Sequence, residues 1–494
     1  MVFLTRIETN LLTLCLGNAI NRQSQLSLAK ATTHAFPLDT GNVMIASAGL
    51  WAPTIRHHRG KFYIICTNCT RGGEAFLTQN FYISTADIYS DQWSDPILFD
   101  FEGIDPSLFF DDDGSAFVQA SWELTRSQQP SCTIKQFEID IATGRALSEI
   151  KEIWGGHARY DTEGPHIYKK DGYYYLIVAE GGTFEHHMLS VGRSRNIWGP
   201  YESYEDNPIL TSDGTSEYIQ NAGHGELFQD DEGLWWAAVL AIRNGPGGRC
   251  PIGRETFLTP VTWPTGGWPK IEQPRMSFER RHVRRRSEWA VCHRNARIDD
   301  VHIRDAPLGN FSFPSDGVIE LTASTNDLDA CLGPITFMGK RQRDIGCSVS
   351  VSVVSPMAAT NDGCDLIAGL CVYKDDHRHA GIYYNLCTSL IYTKFLDKSK
   401  GDPVVTTAHS QLRATRVFLR IVASEMAYEF QYRTRSNDSW SILSILDTIN
   451  LTGRDFTGTI LGISAYSSKV SAGAVIRFEG FEVVPTITRD DRKL

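Results

Sequence analysis

The chain has 494 residues, more than one ordinary domain holds, so two or three cores are expected. Hydrophobic residues make up 42% and charged residues 21%, the balance of a folded chain rather than a disordered one. A formal charge of −10 argues against nucleic acid as the main partner, and no apolar run is long enough to span a membrane.

The N-terminal stretch places Leu11, Leu12, Leu14 and Leu16 behind polar Glu8, Thr9 and Asn10. It lacks a basic flank followed by a clean apolar core, so no signal peptide is expected. The 11 cysteines are odd in number and show no disulfide framework. Cys66 and Cys69 form one CxxC with no second pair, which reads as two separate thiols rather than a zinc site. An intracellular chain is favoured on these grounds.

From about residue 43 to 270 the chain reads as strands and turns. One short pattern occurs four times: Ala52-Pro53-Thr54-Ile55 up to Gly60, Asp105-Pro106-Ser107-Leu108 up to Gly114, Glu163-Gly164-Pro165-His166 up to Gly172, and His224-Gly225-Glu226-Leu227 up to Gly233. Each copy is a strand, a turn ending in glycine, and a second apolar strand. The turn glycines step by 54, 58 and 61 residues. That rhythm predicts a β-propeller, in which each blade's first strand lines a central channel. Pro264 to Pro274 is rich in Gly and Pro, and Phe278 to Arg286 is strongly basic. The expected organisation is therefore a propeller over 1–276, a basic linker over 277–286, and a second domain over 287–494. The second domain alternates at Cys347–Val354, Val417–Val422 and Ala474–Val484, which predicts a β-sandwich. The fold class is all-β.

Propeller geometry brings the inner strand starts together. Asp105 and Glu163 therefore converge, although a carboxylate before Pro often only caps a turn. Two carboxyl groups in a confined site repel, which leaves one able to donate a proton, as a glycosidase requires. His224 opens the fourth repeat and faces the same channel, where a hydrogen-bonded structural histidine is the simpler reading. Trp51 suits stacking on a sugar face as well as core packing. Arg243 suits sugar hydroxyls or a channel carboxylate. Arg254 and Glu255 read as a structural pair. His157, His186 and His187 lack metal-site spacing.

These segments resemble glycoside hydrolase family 43, the β-xylosidases and α-L-arabinofuranosidases. The resemblance rests on residues 50–68, 103–118, 163–183, 223–236 and 253–260, with 335–344 resembling the C-terminal sandwich of two-domain members. It implies a five-bladed propeller and hydrolysis with inversion of xylo- or arabino-oligosaccharides. It implies Glu163 as proton donor, and Asp105 as the carboxylate that modulates the donor's pKa and orients it. Trp51, Arg243 and His224 are implied as substrate contacts. Glu226 stands where many members have Asp. No cofactor and no metal ligand set is expected, with a calcium ion in the channel or the sandwich left open; the partner is an oligosaccharide, with no nucleic acid and no membrane.

One departure matters. The family's general base is an Asp in the first blade, in a motif like Pro-Asp-Pro-Ser. One step back from Gly60 lands near residue 6, where no such motif stands. Asp39, in a Pro-Leu-Asp-Thr-Gly turn, is a poor substitute. The first blade is expected to be incomplete and the chain catalytically impaired, unless a true start lies upstream. The alternative is a non-catalytic carbohydrate-binding or vestigial paralogue. A protein-interaction platform ranks last, because it gives no reason for carboxylates at two inner strand starts.

Overall fold

The computed structural model describes residues 49–72, 75–88, 93–125, 127–230, 232–277, 300–304, 306–330, 333–354, 365–401, 403–407, 412, 414–454, 458–468 and 473–486. The expected incomplete first blade, Asp39 and nearly all of the basic linker lie outside them. The chain forms two compact units, residues 1–242 with 255–294, and residues 243–254 with 295–494.

The first unit contains four blades among the described residues. The first is Gly49–His58, Lys61–Gly72, Ala75–Thr85 and Ile97–Phe99 in that order. The second is Ile104–Phe110, Ala116–Glu123, Cys132–Glu138 and Lys151–Trp154. The third is Glu163–Lys170, Tyr173–Glu180, Met188–Ser194 and Glu202–Ser203, with Leu210–Thr211 also paired to its third strand. The fourth is Ile219–Gln229, Trp235–Arg243, Arg254–Thr262 and Lys270–Ile271. Consecutive inner strands lie beside one another, as radial sheets require. Of the five blades that the resemblance implies, four are seen among the described residues.

Local chemistry explains the repeat. The turn glycines Gly60, Gly114, Gly172 and Gly233 all sit at positive φ, between 75° and 92°, where a side chain would be strained. A blade that sits between two others needs a second strand that is apolar on both faces. In Tyr173–Glu180, Tyr175, Ile177 and Ala179 join the core shared with the fourth blade, while Leu176 and Val178 join the core shared with the second. Each such Leu, Ile or Val contributes roughly 1.5–3 kcal/mol when fully buried.

The second unit is the expected sandwich. One seven-stranded sheet runs Val301–His302, Thr336–Arg341, Ile460–Tyr466, Ile367–Asp375, Arg378–Asn385, Leu390–Asp397, Val404–Thr407. The other runs Phe311–Ser315, Val318–Thr322, Val475–Pro485, Cys347–Val354, Arg416–Ala423, Ala427–Arg433, Ser441–Asp447. The alternation at Cys347–Val354 points Cys347, Val349, Val351 and Val353 into the core between the sheets. Cys66 and Cys69 are free, buried thiols, and Cys66 donates to the Trp51 carbonyl. Cys387 is disulfide-bonded, a pairing the cysteine spacing did not suggest. No helix of the described residues is long and apolar enough to cross a membrane.

Candidate active site

Each inner strand carries a residue in the left-handed region at the same place in the repeat: Ala52 (φ 42°), Asp105 (55°), Gly164 (55°) and His224 (38°). In the first three blades a register shift in the inner hairpin accompanies it, between Trp51 and Thr54, Ile104 and Ser107, and Ile177 and Ala179. The bulge bends the strand and re-aims the side chains beside it. The four residues are thus equivalent positions, one per blade. Glu163 precedes its bulge residue as Trp51 precedes Ala52, so the Trp and the Glu hold matching places on their blades.

The bulges gather three groups. One ligand atom from each of Asp105, Glu163 and His224 lies within 4.8 Å of the other two. His224 Nδ1 stands 3.7 Å from Glu163 Oε1 and 4.0 Å from Asp105 Oδ2. Asp105 is 5% exposed, and its Oδ2 accepts the Gly164 N–H at 3.2 Å. Glu163 keeps 23% of its side chain open. Asp105 is therefore a sheltered carboxylate tied to the backbone beside Glu163, and Glu163 is the one presented to solvent. Gly164 has to be glycine: a Cβ there would come within 2.7 Å of His224 Nε2.

Below this trio the strands alternate inward, and the next channel-facing residues form a second cluster. Arg56 pairs with Glu226 and places Nη2 3.1 Å from His166 Nδ1. A guanidinium only donates, so Nδ1 accepts and the ring proton sits on Nε2. Burial, then the charges of Arg56 and His224, hold the His166 pKa well below its ordinary value. Glu226, two residues past His224 in the fourth blade, is the carboxylate that meets Arg56. Sequence reading passed over Arg56 and His166; a two-residue step from the bulge marks both His166 and Glu226, and two such steps mark Arg56.

A third set fixes the approach to Glu163. Glu180 is fully buried, yet its carboxylate accepts the amide N–H of His157 (3.0 Å) and of Arg159 (2.8 Å), with the Thr162 hydroxyl at 3.4 Å. Ser121 donates to the Thr162 carbonyl at 2.7 Å, and Ser131 accepts the Asp161 N–H at 2.8 Å. On the neighbouring blade, Asn80 donates to the carbonyls of Phe101 and Gly103, just ahead of the Asp105 strand. No sequence pattern flagged these residues.

The remaining expected residues fall as follows. Trp51 lies half-buried on its inner strand. Arg243 ends the strand Trp235–Arg243, and its guanidinium donates to the Arg343 carbonyl at 3.3 Å, within the second unit. His187 is buried with Nδ1 3.0 Å from the Asn221 carbonyl, His186 pairs with Asp213, and His157 meets Ser203. Among the described residues the group able to hold a metal ion is Asp105, Glu163 and His224. Two carboxylates and one imidazole fall short of the six to eight oxygens calcium takes, so the set fits acid/base work better than a calcium cage.

Comparisons with known proteins identify the family. The family model described as glycosyl hydrolases family 43 matches residues 16–269. The chain belongs to glycosyl hydrolases family 43. Within that family the second unit matches the beta xylosidase C-terminal concanavalin A-like domain over residues 305–484. The chain is 31% identical to a non-reducing end alpha-L-arabinofuranosidase of Bacteroides ovatus, over 85% of this chain and 78% of that protein. It is 38% identical to a xylosidase/arabinosidase of Humicola insolens, over 50% of this chain and 44% of that protein. The fold is similar to that of a xylan beta-1,4-xylosidase from Bacillus halodurans, with a TM-score of 0.74, 26% identity, and coverage of 89% of this chain and 87% of that one. The all-β propeller-plus-sandwich reading and the family 43 glycosidase assignment therefore stand.

Proposed function

We propose that this family 43 chain acts on the O-glycosidic bonds of xylo- and arabino-oligosaccharides, with Glu163 as the proton donor and Asp105 as its supporting carboxylate. One observation carries the reading: acidic groups 58 residues apart in sequence meet within 4.8 Å at two inner strand starts, beside His224. Like charges held this close disfavour joint ionisation, so the pair retains a proton more readily than either group alone. Asp105 is buried and bound to Gly164 N–H, so it orients Glu163 rather than touching sugar. Trp51 supplies a stacking face, and His224 supplies a polar contact to the ring hydroxyls.

Inversion needs acid and base roughly 6.5–9.5 Å apart, with water between them. Asp105 stands too close to Glu163 and too deep to act as that base. Turnover therefore depends on a third carboxylate, and its lack would cost roughly 10²–10⁴-fold.

The test uses two leaving groups. Xylobiose needs its departing oxygen protonated, whereas a nitrophenyl xyloside or arabinofuranoside does not. Glu163→Ala should abolish the residual rate on xylobiose and spare much of that on the nitrophenyl substrate. Identical rates for parent and variant on both substrates would reject Glu163 as the acid and leave sugar binding without turnover.

A further inference from the structure

The sandwich carries a small cavity of mixed lining, with Leu328, Ile335 and Ile367 beside its polar groups, on the outer face of the sheet that contains Thr336–Arg341. Register places Ser464, Gly369, Tyr383 and Tyr392 in one cross-strand row on this face. The next row is Gly462, Cys371, Gly381 and Lys394. The glycines have a purpose here. A Cβ at Gly369 would lie 2.8 Å from the Tyr383 ring, and one at Gly381 would lie 2.9 Å from it. Their absence of side chains lets the Tyr383 ring lie down on the sheet, with Tyr392 stacked beside it at 5.4 Å and 18°.

Across these rows runs the segment that holds Asp327 and Asp329. Both carboxylates grip Lys394 Nζ, at 3.1 and 2.9 Å. The space left between segment and sheet is a cavity of about 30 Å³, lined by Asn326, Asp327, Tyr383, Tyr392, Lys394 and Ser464 among others. Its hydrogen-bonding capacity is not used up. Lys394 has three donors and spends two on the carboxylates. Asp327 accepts from Lys394 and from the Asp329 N–H, which leaves lone pairs over. Among the described residues the Tyr392 hydroxyl has no hydrogen-bond partner.

A donor and an acceptor side by side match the needs of a vicinal diol, since each hydroxyl both donates and accepts. Aromatic rings next to them suit the apolar C–H face of a sugar ring. The volume decides how much of the sugar enters. A water needs roughly 10–15 Å³ by this measure, so the cavity takes about two hydroxyl-sized groups and not a whole ring. Two carboxylates against one ammonium disfavour an anionic guest.

We propose that this cavity is a second carbohydrate site, in which the sandwich holds the diol edge of a neutral sugar unit without help from Asp105, Glu163 or His224. It goes beyond the catalytic reading and does not depend on it. The experiment is affinity electrophoresis of the full chain carrying Glu163→Gln, which leaves glycan intact, through gels containing soluble arabinoxylan, arabinan or polygalacturonate. The neutral glycans should retard the parent, and polygalacturonate should not. Tyr392→Ala and Asp327→Asn should each weaken the retardation at least fivefold with unchanged thermal melting. Asp327→Asn keeps the side-chain volume and decides the matter if Tyr392→Ala melts early. A parent that migrates unaltered in both neutral glycans, or variants retarded like the parent, overturns the proposal.

Discussion

Removing Glu180 tests whether the channel mouth is built from behind. Its carboxylate holds two backbone amides at 3.0 and 2.8 Å, and the Thr162 hydroxyl more weakly at 3.4 Å. Hydrogen bonds to a charged group are worth roughly 1.5–3 kcal/mol each, and the orphaned N–H groups of His157 and Arg159 would stay near a vacated buried site. Glu180→Ala should therefore cost about 3–5 kcal/mol. For a unit of this size that lowers Tm by roughly 5–9 °C. Glu180→Gln keeps one accepting oxygen but turns an NH2 toward the other amide, so it should fall between parent and Ala variant. The assay is thermal melting by near-UV circular dichroism, followed by hydrogen exchange at the amides of 157–163. Thr162 adjoins Glu163, so protection there should fall before protection in Tyr173–Glu180 does. Placement errors of about 1 Å at a catalytic group cost on the order of 10²-fold, so any measurable turnover should drop with it. A Glu180→Ala chain that melts within about 1 °C of the parent would refute the reasoning, because two buried amides cannot lose a carboxylate at no cost.

Gly164→Ala should lose activity and bound sugar together, since the new Cβ meets His224 at 2.7 Å and the φ of 55° costs a further ~1 kcal/mol; steady-state rates and Tm check it, and an unchanged enzyme refutes the bulge argument. Arg56→Met should let the His166 pKa rise part-way toward its ordinary value, because Arg56 is the second cause of its depression after burial; histidine proton shifts across pH measure this, with destabilisation of about 1–3 kcal/mol from the unpaired Glu226. The sandwich should weaken in acid. Asp329 is held at about 2 against an ordinary 3.8: burial pushes it up, but His379 and Lys394 outweigh that. A depressed carboxylate contributes stability that is fully present above the unfolded pKa and is lost as pH falls from about 4 toward 2. With the side chain a third exposed, the contribution is about 1–2 kcal/mol after solvent screening. Asp329→Asn should flatten that acid limb, and a variant with the parent's acid midpoint would contradict it.

The sequence by itself determined whatever short-range chemistry controls. Gly60, Gly114, Gly172 and Gly233 marked the four inner hairpins because a tight turn with positive φ needs glycine within a few residues of the strands it joins. Alternation marked Cys347–Val354 as a core strand because successive side chains point to opposite faces. Counting steps between repeats then brought Asp105, Glu163 and His224 together, and their ligand atoms lie within 4.8 Å of one another. Family motifs named those residues before any geometry did. Only the tertiary structure decided the rest. Arg56, His166 and Glu226 belong to three different blades and meet because the ring brings their strands together. Glu180 reads as an ordinary polar end to an apolar strand, and its partners lie about twenty residues away in a loop without a pattern of its own. The same holds for the tyrosine, lysine and aspartate that meet on the sandwich face: their contacts are set by cross-strand register, which no local stretch of chain records.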